Sequence, residues 1–298
     1  MRVSYSPDYV ISLPERHPFP MEKFRCLHSI LLNEGLLSLG DVYEPKEIPW
    51  KELRRVHSRD YLEKLRGGTL NRSEERRLGL PWSDALVRRS RLAVQGTLMA
   101  AKMALEDGIS ANLAGGTHHA FPGHGEGFCV LNDIAVTIKI LLQEEKIKKA
   151  LIIDLDVHQG NGTAEALKDD INTFTFSMHC GKNYPFDKAN SDLDIELDEG
   201  TRDTEYLHTL NQHVLDVVAK VNPDIVFYLA GVDVVEGDRY GLLNLSRSGL
   251  QKREQFILGL MKNFSLPVVI LMSGGYATTP DITADLHADV HRAAQTFY

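Results

Sequence analysis

Ala150-Leu-Ile-Ile-Asp154-Leu-Asp156-Val-His158-Gln-Gly160-Asn161-Gly162 is the stretch that decides how this chain reads. Its first half is an unbroken apolar run, the pattern of a strand covered on both faces, as in a parallel sheet. Its second half sets polar groups at alternate positions. Alternate side chains of an extended chain share a face. Asp154, Asp156 and His158 are therefore expected to point together from the end of a buried strand over 150–157. Carboxylates and an imidazole so placed suit a divalent metal. A single Asp there would read as a polar strand end or a helix cap.

Working outward, similar apolar runs recur at Val3–Tyr5, Ala111–Ala114, Thr173–Met178, Asp224–Ala230 and Pro267–Met272. Helical spacing of apolar residues marks Trp82–Leu105, Asp133–Lys146, Thr204–Val221, Ser248–Lys262 and Asp281–Phe297, with a further helix over Glu22–Leu36. Strand–helix alternation predicts an α/β fold of three layers, a mostly parallel central sheet with helices on both faces. The polar stretch Leu65–Leu80 reads as a surface loop, and no low-complexity linker or repeat interrupts the chain. One domain over residues 1–298 is expected.

The composition excludes several classes. The 298 residues carry a formal net charge of -8 with no long block of either sign, which argues against nucleic acid as a partner and against anionic membranes. The acidic balance is compatible with a cationic substrate such as a lysine-rich peptide or a polyamine. No apolar run approaches the length of a membrane span, and the N-terminus lacks the apolar region of a signal peptide. Cys26, Cys129 and Cys180 are widely spaced, without a CxxC pair, so reduced thiols and a cytoplasmic protein are expected.

Glycines follow the apolar runs, and ligands in open α/β sheets bind beyond the carboxyl ends of strands. Gly115-Gly-Thr-His118-His119 offers two adjacent histidines that could be metal ligands, a proton-transfer pair or loop residues. Asp233, just past the run ending at Ala230, is a further candidate ligand or a turn Asp. Tyr276, after Gly274-Gly275, could donate to developing negative charge or simply pack.

Together these pieces resemble the zinc-dependent histone deacetylases and their bacterial relatives, which have the arginase–deacetylase fold. The resemblance rests on Gly115-Gly-Thr-His-His119, Gly127-Phe-Cys-Val-Leu-Asn-Asp133, Asp154–Gly162, Ala230-Gly-Val-Asp233 with Gly237-Asp-Arg239, and Gly274-Gly-Tyr276. These occur in the family's order over roughly residues 17 to 285. His17-Pro18 and the helix bearing Val56-His57 and Tyr61-Leu62 fit the family too, and the run Ser177–Pro185 with Asn161 makes the chain look closest to the class IV branch.

The resemblance implies that Asp156, His158 and Asp233 hold zinc, or iron(II), which the same ligands tolerate. It casts His118 and His119 as the catalytic pair, oriented by Asp154 and Asn161, and Tyr276 as the residue that polarises the carbonyl. Gly127 and Phe128 would line the substrate channel, with Tyr240, Tyr184 and Phe186 around it. A structural potassium ion would take backbone carbonyls of Asp154, Asp156, His158, Ser177 and Met178.

Three features depart from the family pattern. Position 161 is Asn where class I enzymes have Asp, Tyr240 replaces a smaller residue on the rim, and no counterpart of the class I Asp that holds the peptide backbone is evident. The implied activity is hydrolysis of an acyl-lysine in a protein or peptide, acetyl first, by a metal-dependent amidohydrolase. Acetylpolyamine hydrolysis and longer-chain deacylation are alternatives. An arginase-like enzyme would need two metals, and a non-catalytic binder of acylated ligands would have lost part of the constellation. The short path from His17-Pro18 into the Glu22–Leu36 helix favours an open site and a monomer.

Overall fold

The computed structural model describes residues 1–298. Its strands are β1 (Val3–Ser4), β2 (Val42–Tyr43), β3 (Ile109–Asn112), β4 (Ala150–Asp154), β5 (Thr173–Cys180), β6 (Leu193–Leu197), β7 (Ile225–Leu229) and β8 (Val268–Leu271). They form one eight-stranded sheet in the order β2-β1-β3-β8-β7-β4-β5-β6. Every pairing is parallel, not merely most of them.

The helices are α1 (Lys23–Asn33), α2 (Trp50–Leu53), α3 (Arg59–Gly67), α4 (Arg72–Leu78), α5 (Asp84–Asp107), α6 (Asp133–Gln143), α7 (Asn161–Leu167), α8 (Asp203–Val221), α9 (Arg247–Asn263) and α10 (Pro280–Phe297). The unbroken apolar runs are explained by the layering. Leu151 and Ile153 of β4 pack into one cluster with residues of α1, α8, α9 and α10, while Ala150 and Ile152 pack into another with α3, α5 and α6. Strands β7 and β8 divide their side chains in the same way. A strand covered twice has no polar face to show.

Helix ends follow local chemistry. Ser83 caps the 24-residue α5 by accepting the Leu86 N–H, and Gly108 ends it in the left-handed conformation. Two expectations need correction. The stretch Leu65–Leu80 is not simply a loop: it holds the end of α3 and the whole of α4. Asn71 begins α4 with a reciprocal capping box to Glu74, a signal present in Asn71-Arg-Ser-Glu74 but hidden by the surrounding charge. The edge strands β2 and β6 were not expected. The first has two residues, and the second alternates Leu193-Asp-Ile195-Glu-Leu197 because it is only partly covered.

Candidate metal centre and active site

Strands β3, β8, β7 and β4 stand side by side in the middle of the sheet. The loop leaving the carboxyl end of each carries part of one site: His118 and His119 after β3, Tyr276 after β8, Asp233 after β7, and Asp156 and His158 after β4. Asp133, at the start of α6, ties down the first of these loops. It accepts the Gly116 and Thr117 N–H groups at 3.1 and 2.8 Å.

The reason expected for the grouping of Asp154, Asp156 and His158 does not hold. Strand β4 ends at Asp154, and the residues beyond it turn. Side-chain-to-backbone hydrogen bonds shape that turn: Asp154 Oδ1 accepts Asp156 N–H at 3.1 Å, and Asp156 Oδ1 accepts His158 N–H at 3.0 Å. The turn still delivers Asp156 and His158 to one point, where Asp233 meets them. Their ligand atoms lie within 4.8 Å of one another and all three residues are buried.

Asp233 Oδ1 and Asp156 Oδ2 are satisfied by the surrounding loops. Asp233 Oδ1 accepts Val157 N–H at 3.0 Å, and Asp156 Oδ2 accepts Gly274 N–H at 2.6 Å and the Ser273 hydroxyl at 2.7 Å. Asp233 Oδ2 is buried and faces only His158 Nδ1, 3.2 Å away, in a geometry that does not complete a hydrogen bond. A buried, unpartnered carboxylate oxygen is costly unless a cation compensates it. His158 Nδ1 faces both carboxylates, 3.0 Å from Asp156 and 3.2 Å from Asp233. Burial opposes charge on His158, yet the two carboxylates raise its pKa to about 10. Burial and the neighbouring Asp156 push Asp233 up to about 7. So much crowded negative charge around one imidazole nitrogen fits a divalent cation held by three protein ligands. Gly274 protects this arrangement, because a side chain there would run into both Asp233 and Asp156.

His118 and His119 lie beside the cluster with ring centroids 4.1 Å apart. Their supports differ. His118 Nδ1 meets Asp154 Oδ2 at 2.7 Å, and its Nε2 is 4.0 Å from Asp156. His119 Nδ1 meets Asn161 Oδ1 at 2.7 Å. The same Asn161 oxygen accepts Gly162 N–H at 3.0 Å, and the Asn161 NH2 donates to Glu126 at 3.2 Å. The amide is thus oriented oxygen-inward, which makes His119 Nδ1 the donor and leaves Nε2 as a free acceptor. Glu126 also accepts the Tyr184 hydroxyl at 2.5 Å and is paired with His124 at 3.3 Å.

His119, His158 and Tyr276 form the floor of a cavity of about 540 Å³. Gly127, Phe128, Tyr184 and Tyr240 line it, and Phe186 stands 86 % exposed at its mouth. Gly127 and Phe128 both have positive φ, 53° and 66°, and a side chain at Gly127 would come within 2.7 Å of the His119 ring. That tight turn sets the Phe128 ring against the channel. The Tyr240 ring lies edge-on to Tyr276 with centroids 5.0 Å apart, so the bulkier residue narrows the floor. Burial, with Asp156 and Asp233 nearby, holds the Tyr276 hydroxyl protonated.

Of the residues expected to take potassium, the β4–β5 register sets Asp154 opposite Ser177, with Met178 next along β5. The Ser177 hydroxyl bonds His179 Nδ1 at 2.9 Å. Close by, the buried Arg253 guanidinium donates to the carbonyls of Leu155 and Gly231 at 3.1 and 2.8 Å.

Sequence reasoning missed Glu126, which immediately precedes the Gly127–Asp133 stretch, and it missed Arg76, Arg77 and Lys182 at the cavity mouth. No periodicity announces these residues; only the closing of the loops brings them to the site.

The family model described as the histone deacetylase domain matches residues 17–292. The chain belongs to the histone deacetylase family. Across 99 % of both chains it is 47 % identical to an uncharacterized protein of Picosynechococcus sp.. It is 34 % identical to histone deacetylase 2 of Arabidopsis thaliana, over 92 % of this chain and 74 % of that protein. To the acetoin utilization protein AcuC of Staphylococcus aureus the identity is 28 %, over 88 % of this chain and 72 % of the other. Among solved structures, the crystal structure of the HDA15 HD domain superposes with a TM-score of 0.78 at 22 % identity, covering all of this chain and 89 % of that one. At that identity the likeness speaks for the fold. Family membership makes this histone deacetylase relative a hydrolase of the deacetylase type.

Proposed function

We propose that this chain is a metal-dependent amidohydrolase that removes an acyl group, acetyl first, from the ε-amine of lysine in peptides or proteins. One observation carries the reading: Asp156, His158 and Asp233 cluster beside the histidine pair, and His119, His158 and Tyr276 open from that cluster onto one cavity. The whole chain acts as one catalytic unit in this reading. Potassium on the carbonyls of Asp154, Asp156, His158, Ser177 and Met178 would be structural.

Asp156, His158 and Asp233 would hold zinc or iron(II), and such an ion supplies Lewis-acid polarisation of the amide carbonyl and a more acidic water. His119, neutral with a free Nε2, accepts the proton that the attacking water loses. His118, backed by the Asp154 carboxylate, is stabilised as a cation and supplies positive charge beside the reacting carbon. The Tyr276 phenol donates to the developing oxyanion. The proton held by His119 then passes to the leaving lysine amine. Phe128 and Tyr184 flank the aliphatic stem of the substrate and exclude water from it.

The test is Tyr276→Phe on an acetyl-lysine peptide. Loss of one oxyanion donor costs about 10²- to 10³-fold in kcat, and bound metal, measured by elemental analysis, should be unchanged. Near-wild-type turnover would refute the assignment.

A further inference from the structure

We infer that the site selects acyl-amines that carry a negative charge beside the acylated nitrogen, and rejects cationic ones; this rests on the amidohydrolase reading above. The observation is the charge of the cavity mouth. Arg76, Arg77, Lys182 and Arg239 line it, and no Asp or Glu does. In a chain of net charge -8 this concentration of one sign runs against the average surface.

Like Arg16, Arg54, Arg66, Arg72 and Arg202, the three arginines lack carboxylate partners, but these three converge on one cavity, whereas Arg2, Arg88 and Arg247 each pair with two carboxylates and Arg292 with three. Lys182 alone has one, Glu199 at 3.3 Å. Two acidic groups of the loops that line the cavity are already bonded within the protein. Glu126 is bonded to Asn161 and Tyr184, and Asp238 accepts the N–H groups of Tyr240, Gly241 and Tyr276. Helix-end electrostatics account for Arg76 and Arg77, which occupy the last turn of α4. They do not account for Arg239 and Lys182, which arrive from separate loops at the same opening.

The placement is built, not incidental. Gly127 and Phe128 donate their N–H groups to the carbonyls of Arg77 and Leu78 at 3.2 and 2.8 Å, fastening the end of α4 to the channel wall. A cleft lined by one sign of charge raises the local concentration of the opposite sign. Screening confines the effect to about 8 Å at physiological salt. The favoured anion is therefore close to the acyl group: an acidic residue flanking acyl-lysine, or a carboxylate on a small acylated amine. Acetylated polyamines, which keep positive charge on the remaining nitrogens, meet the wrong field.

The experiment compares zinc-loaded protein on acetyl-lysine peptides flanked by Asp, by Lys or by neutral residues, reading kcat/KM by hydrolysis and Kd by fluorescence anisotropy. Acetylspermidine, and Nε-acetyl-lysine with a blocked α-amine and either a free or an amidated carboxylate, form the small-molecule arm. The expected result is at least about a tenfold preference for Asp over Lys flanks at low salt, shrinking as salt rises. In the triple variant Arg76→Gln, Arg77→Gln, Arg239→Gln the ratio falls toward one, while Arg77→Lys, which keeps the charge, retains it. A free-carboxylate preference confined to the small compounds assigns the anion to the substrate molecule itself. Equal or better handling of Lys-flanked peptides and acetylspermidine overturns the inference. Absence of hydrolysis with the Asp preference intact in binding would instead overturn the amidohydrolase reading alone.

Discussion

His118 and His119 are neighbours in sequence and nearly in contact, yet the molecule treats them as opposites. Behind His118 stands the Asp154 carboxylate, with Asp156 on the far side of the ring; burial opposes its charge, but these two acids raise its pKa to about 9. Behind His119 stands an amide. Burial, followed by the positive potential of His118 and His158, drives its pKa well below the ordinary value. A pair of identical side chains acquires two roles from the groups that face their Nδ1 atoms. In the proposed reaction one would serve as an electrostatic post and the other as a neutral base. In this chain Asn161 does not have a carboxylate's charge, and Glu126 behind it fixes the direction of the amide instead.

The comparison breaks most sharply by deleting each ring. His119→Ala should lower kcat by about 10²- to 10⁴-fold, the range for a lost acid–base group. His118→Ala should cost clearly less, and its residual activity should still titrate as a reaction that needs one unprotonated base. Steady-state kinetics on both variants decide it; an inverted order would reassign the base. A smaller effect sharpens the same point. Glu126→Gln leaves both histidines in place but can offer an NH2 group to the Asn161 NH2, letting the amide flip. A fall in kcat of about tenfold is expected, within the range for groups that orient a site through another residue. If KM alone changes, Glu126 serves the channel through Tyr184 and not the His119 tautomer.

Much of this site was legible in sequence because its residues sit at strand ends, where an apolar run stops and a glycine turn begins. That pattern marked Asp156, His158, Asp233, His118, His119 and Tyr276 as candidates, and the family resemblance divided the roles among them. The physical reason first given for Asp154, Asp156 and His158 was the part that failed: a turn held by Asp154 and Asp156, not strand alternation, gathers them. Glu126 and the basic mouth were not legible, since their meaning comes from contacts between loops far apart in the chain. Helix α4 was masked by its own charge, although its capping box was in view.

The weakest effect concerns a third histidine of the neutral kind. His57 sits between the Phe121 carbonyl and the Asn132 N–H, and burial lowers its pKa to about 4; buried His291 is lowered to about 3. Unfolded histidine binds a proton below about pH 6.5. The unfolded chain therefore binds more protons than the native one between pH 6.5 and about 4, so stability rises with pH across that window and is lost as pH falls through it. Each group contributes at most about 1.4 kcal/mol per pH unit. The thermal midpoint should drop between pH 7 and pH 5, and less steeply in His57→Gln; a midpoint independent of pH would exclude these groups as its cause.

The most direct measurement is metal titration of chelator-stripped protein against hydrolysis of an acetyl-lysine peptide. Stripped protein should be inactive, and activity should return to a plateau at one equivalent of zinc or iron(II) per chain. Asp156→Ala should neither retain metal nor recover. Full activity after stripping, or a requirement for two manganese ions per chain, would contradict a single site formed by Asp156, His158 and Asp233.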